Sequence, residues 1–135
     1  MDMRLYKIEK QAHCIRIVFE YGVSIGPDDI IAAIDHENAL YPVEDRLSLW
    51  DFRGCLAAPD FGYDAMSRVV DRIRNRYGNA TANNKAALVV DGSTLYGLSR
   101  MFQMLMEGFP TQIGVFQDEA DARHWIGRQA RSEEE

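Results

Sequence analysis

Residues 85–127 constrain the fold more than any other stretch. Two short apolar runs, 86–90 (Ala-Ala-Leu-Val-Val) and 112–116 (Gln-Ile-Gly-Val-Phe), each lead directly into a segment with helical spacing. Strand, helix, strand, helix is the pattern of an α/β sheet, because parallel strands need crossover helices between them. The pattern speaks to architecture and carries no catalytic signature with it. A chain of 135 residues fits one domain over 1–130, with an acidic tail, 131–135, expected to fray.

Upstream, residues 4–10 and 14–21 read as two strands joined by a tight connection at 11–13. The second alternates Ile15, Ile17, Phe19 and Tyr21 against Arg16, Val18 and Glu20, the period of two that separates the faces of a sheet. Gly26-Pro27-Asp28-Asp29 then puts proline and carboxylates at a helix start, and Ile30, Ala33, Ile34 and Ala39 or Leu40 give that helix its inward face. Residues 47–52 make a further strand. A second helix, from about residue 60, places Met66, Val69, Val70, Ile73 and Tyr77 at helical spacing, with Gly78 expected as its left-handed cap. Arg68, Arg72 and Arg76 line its other side; that stripe reads as a solvated face, with Asp64 pairing Arg68, before it reads as a site for an anionic partner. The third helix, 93–107, carries a buried stripe of Leu95, Leu98, Met101, Phe102 and Leu105. Tyr96, Gly97, Met104 and Met106 spread apolar surface around the rest of it, so a second partner is expected there. The sum is a mixed five-stranded sheet with an N-terminal antiparallel hairpin and about four helices.

Several functions are disfavoured by composition and spacing. A net charge of −6 argues against a nucleic-acid binder, which needs a basic footprint. No export-type leader and no run of eighteen apolar residues is present, so a cytoplasmic protein without membrane insertion is expected. Cys14 and Cys55 are expected as thiols. His13, His36 and His124 sit on different elements, and Asp35-His36-Glu37 point in different directions around a helix, so no metal site is expected. Ser99, in Gly97-Leu98-Ser99-Arg100-Met101, lacks the closing glycine of a nucleophile elbow and falls inside a helix. Asp118-Glu119-Ala120-Asp121 has no phosphate-binding loop to accompany it and reads as a cap and first turn for a last helix bearing Ala122, Trp125 and Ile126. No cofactor is expected.

The order of elements, with Tyr6-Lys7-Ile8-Glu9, Trp50-Asp51-Phe52-Arg53-Gly54, Gly97-Leu98-Ser99-Arg100-Met101-Phe102, Val115-Phe116 and Ala122-Arg123-His124-Trp125-Ile126, resembles the SpoIIAA-like (STAS) fold. It is similar in particular to bacterial STAS/SEC14-type proteins of unknown function. The resemblance implies a binding or regulatory module, since members of this fold include anti-anti-sigma factors, transporter domains and small-ligand sensors. Residues 54–62, Gly-Cys-Leu-Ala-Ala-Pro-Asp-Phe-Gly, lack the serine of the anti-anti-sigma switch, so that switch is not expected.

In an open α/β sheet, ligands usually sit at the rim of strand carboxyl ends and helix amino ends. That geometry nominates Asp51, Arg53, Ser93 and Thr94 for a ligand or anion, with an Asp51–Arg53 ion pair and helix capping by Ser93 or Thr94 as the structural alternatives. The expected function is a non-catalytic cytoplasmic module acting through protein contacts, as a homodimer through the third helix, at Tyr96, Met104 and Met106, or through the exposed edge of the hairpin. The alternative is an enzyme or carrier for a small amphipathic, lipid-like molecule in a pocket between the third helix and the sheet, with Tyr96 and Arg100 near its mouth.

Overall fold

The structure, a computed structural model, describes residues 4–41, 46–77 and 84–134, with side chains described as far as Arg128. Gly78 and most of the polar loop that follows it lie outside the described residues. Five strands form one sheet in the order β1 (Tyr6–Lys10), β2 (Ile15–Phe19), β4 (Leu47–Asp51), β6 (Lys85–Val89), β7 (Gln112–Phe116). β1 and β2 are antiparallel, pairing Ile8 with Ile17. All other neighbours are parallel, with Ile17 beside Trp50, Trp50 beside Leu88 and Leu88 beside Val115. The two carboxy-terminal runs therefore lie side by side in the same direction, as their crossover helix requires.

Two short strands, β3 (Ser24–Ile25) and β5 (Leu56–Ala57), pair in parallel apart from the main sheet. Periodicity gives no warning of them, since two residues show no alternation.

Strand alternation sends one set of side chains to each face. Ile15, Ile17, Phe19, Trp50, Phe52, Leu88 and Val90 face the main core beneath α1 (Pro27–Leu40), α2 (Tyr63–Tyr77) and α3 (Ser93–Leu105). The rings of Phe19, Trp50 and Phe52 stack there, Phe19 and Phe52 at 4.9 Å between centroids. Cys14, Leu49, Ala87 and Val89 face the other way, against Ala122 and Ile126 of α4 (Glu119–Glu134). Four helices thus divide three to one, and α4 covers β4, β6 and β7.

The helix starts differ in how they are capped. Pro27 opens α1, and the Gly26 N–H donates to Asp29 Oδ2 at 2.8 Å. At α4 the Ala120 N–H donates to Asp118 Oδ1 at 2.7 Å, the cap its sequence implies. α3 begins without a side-chain cap: Gly92 occupies the cap position, and Ser93 and Thr94 are exposed. α2 starts three residues later than its spacing suggests, because Phe61 is drawn into the core before the helix begins. On α1 the inward positions are Ala33, with Ile30 and Ile34 half-buried, and then Glu37; Ala39 and Leu40 are exposed.

Candidate functional site

The carboxyl rim is occupied by charges that pair with one another, while Arg16 Nε is buried there with no hydrogen-bond partner among the described residues. Asp51, at the end of β4, accepts from Arg16 Nη2 of β2 at 2.7 Å and from Arg53 Nη2 at 2.8 Å, while its other oxygen accepts from Arg53 Nε at 2.9 Å. Glu119, in the first turn of α4, takes Arg53 Nη2 at 2.6 Å, Arg16 Nη2 at 3.2 Å and Arg123 Nε at 2.8 Å. Burial opposes ionisation of Asp51, but the Arg53 hydrogen bonds and the Arg53 and Arg16 charges outweigh it and hold the carboxyl below its ordinary value of 3.8. Arg53 is therefore committed to Asp51 and Glu119. Asp91, the acid facing the start of α3, receives the Gly54 N–H at 3.0 Å. Ser93 and Thr94 lie beside Asp91 at this helix start, and Arg100 is exposed on the same helix. Nearby, burial and then the charges of Asp51 and Asp91 push the Cys55 thiol up to about 11, which leaves it un-ionised at neutral pH and a weak nucleophile.

The arginine stripe of α2 is partly spent as well. Arg72 pairs with Asp35 of α1 at 2.8 Å, and Arg74 lies over the Phe109 ring at 5.0 Å. Asp64 and Arg68 form no ion pair among the described residues. His36 is half-buried against Tyr6, whose hydroxyl lies 3.0 Å from Nδ1, whereas His13 and His124 are exposed.

An open, polar groove of about 530 Å3 lies beside this network, lined by Val18, Glu20, Tyr21, Asp51, Arg53 and Asp91; the apolar space in this fold lies elsewhere. A cavity of about 130 Å3 runs between the sheet and the three helices of the main face. Its walls are Trp50, Phe52 and Leu88 of the sheet, with Met66 and Ile73 of α2 and Leu98 and Phe102 of α3. Its polar end is at the amino ends of β4 and β6, opposite the rim. There Glu37, 2% exposed, accepts from Ser48 Oγ at 2.5 Å and faces Arg46 Nη2 at 3.3 Å. Arg46 is itself fixed, through Nη1 to Asn38 Oδ1 at 2.9 Å and through its backbone N–H to Asn84 Oδ1 at 2.8 Å. Desolvation dominates at Glu37 and raises its carboxyl above 4.5 against the opposing pull of Arg46 and Ser48. Ser99 lines the cavity from α3, is 7% exposed, and makes no side-chain hydrogen bond with any described residue.

The nominated residues are therefore dispersed. Asp51 and Arg53 meet each other; Ser93, Thr94 and Arg100 are exposed; Tyr96 is half-buried at the core's margin. Tyr96 and Arg100 do not line the cavity, because α3 turns Leu95, Leu98, Ser99 and Phe102 toward it. Met104 is 65% exposed, but Met106, expected on an outer surface, is 4% exposed and lines the cavity, because the chain turns inward at the helix end, where the Met106 N–H bonds to Phe102 O. Sequence spacing passed over Glu37 and Ser99. The signal for Glu37 was available: positions 30, 33, 34 and 37 share one helical face, so a carboxylate sits at the end of an apolar stripe.

Comparison with solved structures supports the architecture. The chain is similar to an uncharacterized protein from the DUF3478 family with a SpoIIAA-like fold, from Shewanella loihica PV-4, at a TM-score of 0.54 and 16% identity over 90% of this chain and 91% of that one. No family model and no curated protein matches. This chain has a SpoIIAA-like fold, with the mixed five-stranded sheet and four helices that go with it. Among the described residues, no helix is long and apolar enough to cross a membrane.

Proposed function

We propose that this STAS-type module binds a small amphipathic molecule in the cavity under α1, α2 and α3. The observation that carries the reading is the cavity itself: about 130 Å3 of space, walled by apolar side chains and lined at one end by Glu37, Ser48 and Arg46. Apolar walls with a few convergent polar groups are the usual make-up of a small-ligand pocket. Titrating the protein with 1-hexanol while recording methyl NMR spectra tests the reading. Saturable shifts gathered on Met66, Leu88, Leu98 and Met106 are expected, and shifts scattered over the surface, or none, sink it.

A second reading, a module acting through protein contacts as a homodimer, is supported by Met104 at 65% exposed on the outer side of α3. Its test is the mass in solution of the wild type and of Met104→Glu. A dimer that the charge dissociates supports this surface; a monomeric wild type, or a dimer unmoved by the change, removes it.

A further inference from the structure

The polar end of the cavity also constrains the head group its ligand can carry, and the inference rests on the ligand-binding reading above. A carboxylate offers about four lone-pair sites, and two at Glu37 are taken, one by Ser48 Oγ and one by Arg46 Nη2. The ion pair is asymmetric in depth: the Glu37 side chain is 3% exposed and that of Arg46 14%. Arg46 is further tied to Asn38, and its backbone to Asn84. A molecule lying along Trp50, Leu88 and Phe102 therefore meets an acceptor at the polar end. Lys85, the other cation near this end, turns its Nζ to the opposite face, to Trp125 O at 2.8 Å and over the Trp125 ring.

Three head groups are chemically distinct at such a site. An anion would face the carboxyl oxygens of Glu37, with Arg46 already bonded to Glu37 and Asn38. An ammonium would compete with Arg46 and leave an uncompensated positive charge buried. A hydroxyl donates one hydrogen bond and adds no charge. Ser99 places a second neutral hydroxyl on the cavity wall, able to donate to or accept from the oxygen of a bound alcohol.

We propose that the cavity is a site for a neutral, apolar alcohol whose hydroxyl donates to the free lone pairs of Glu37 while its hydrocarbon lies against the walls from α2, α3 and the sheet. Glu37 is the selecting residue; Ser48 and Arg46 position it.

The experiment compares 1-hexanol, hexanoate, hexylammonium and benzene near neutral pH, on the whole chain, with the cavity methyls of Met66, Leu88, Leu98 and Met106 as the readout. Wild-type protein should bind 1-hexanol about tenfold more tightly than hexanoate or hexylammonium. In Glu37→Gln, hexanoate should gain on 1-hexanol until the two lie within about threefold. Should that variant not fold, Glu37→Asp, which withdraws the carboxylate from the ligand, should weaken 1-hexanol and leave benzene unchanged. If either charged compound binds the wild type as tightly as 1-hexanol, if Glu37→Gln ranks the compounds as the wild type does, or if Glu37→Asp binds 1-hexanol as tightly as the wild type, the alcohol assignment is overturned while the cavity remains a ligand site. If benzene and all three chain compounds leave the cavity methyls unmoved, the ligand-binding reading itself falls.

Discussion

Glu37 and Asp51 are both buried carboxylates with arginine neighbours, yet they titrate in opposite directions. At Asp51 burial is outweighed by Arg53, which bonds both oxygens, and by Arg16; at Glu37 burial outweighs a single Arg46 contact at 3.3 Å and the Ser48 hydroxyl. The signs follow. Asp51 has a folded value below 3.8, so its stabilisation is present above that pH and is lost as pH falls through the depressed value. Glu37 has a folded value above 4.5, so the fold is favoured below that pH and loses this contribution as pH rises through the elevated value. Urea unfolding of Asp51→Asn near neutral pH should show a loss of about 3 kcal/mol, because Arg16, only partly exposed, is left with one carboxylate fewer. The deficit should shrink below pH 3.8. Glu37→Gln mimics the neutral acid, so its stability relative to wild type should improve as pH climbs from 4.5 toward neutrality; a difference that stays flat across that range would refute the raised value. The Asp51–Arg53 pair was legible, since both residues close the same strand two positions apart. Arg16 and Glu119 were not, because a partner 103 residues away leaves no trace in local spacing.

At the scale of elements, the long strands and helices were readable because each keeps one period over five or more residues and buries one side. α3 shows where that reading stops. Its inner stripe was correct, and Leu98→Ala should cost about 3 kcal/mol by emptying a packed position. Met104→Ala, on the exposed side, should change stability by no more than about 0.5 kcal/mol; parallel urea titrations of the two variants check both. Met106 escaped the pattern because it lies just past the helix, where a turn and not a helical angle sets its direction. The turn after β4 is equally local. Gly54 has φ +80°, and a Cβ there would lie 2.1 Å from the Tyr21 ring. Tyr21 is 89% exposed, so its ring can swing away, and the remaining cost of Gly54→Ala is the left-handed backbone, about 1 kcal/mol. Adding Tyr21→Ala to Gly54→Ala should therefore recover little of that loss in thermal melts; full recovery would assign the cost to the ring.

For the molecule as a whole, the division of helices separates its two ends. The strand carboxyl ends, where α/β folds commonly bind, carry the charged network of Arg16, Asp51, Arg53 and Glu119 beside an open, polar groove. The apolar cavity lies beneath the three-helix face, with its polar end at the amino ends of the strands. No local pattern could announce this, because a cavity is a failure of three helices and a sheet to meet, a property of their sum. A void forfeits dispersion contacts on every wall, so a chain selected for stability alone would fill it. Ser99→Leu directs apolar volume into that space. If the cavity exists at about 130 Å3, the substitution should stabilise the protein by about 1 kcal/mol, a rise in Tm of about 4 °C, and should abolish 1-hexanol binding in the same sample. Gains in stability that erase binding are the expected trade at a site kept open for a ligand. A variant that melts lower than wild type would mean the space beside Ser99 is already filled, and one that melts higher yet binds 1-hexanol unchanged would place the ligand outside the cavity.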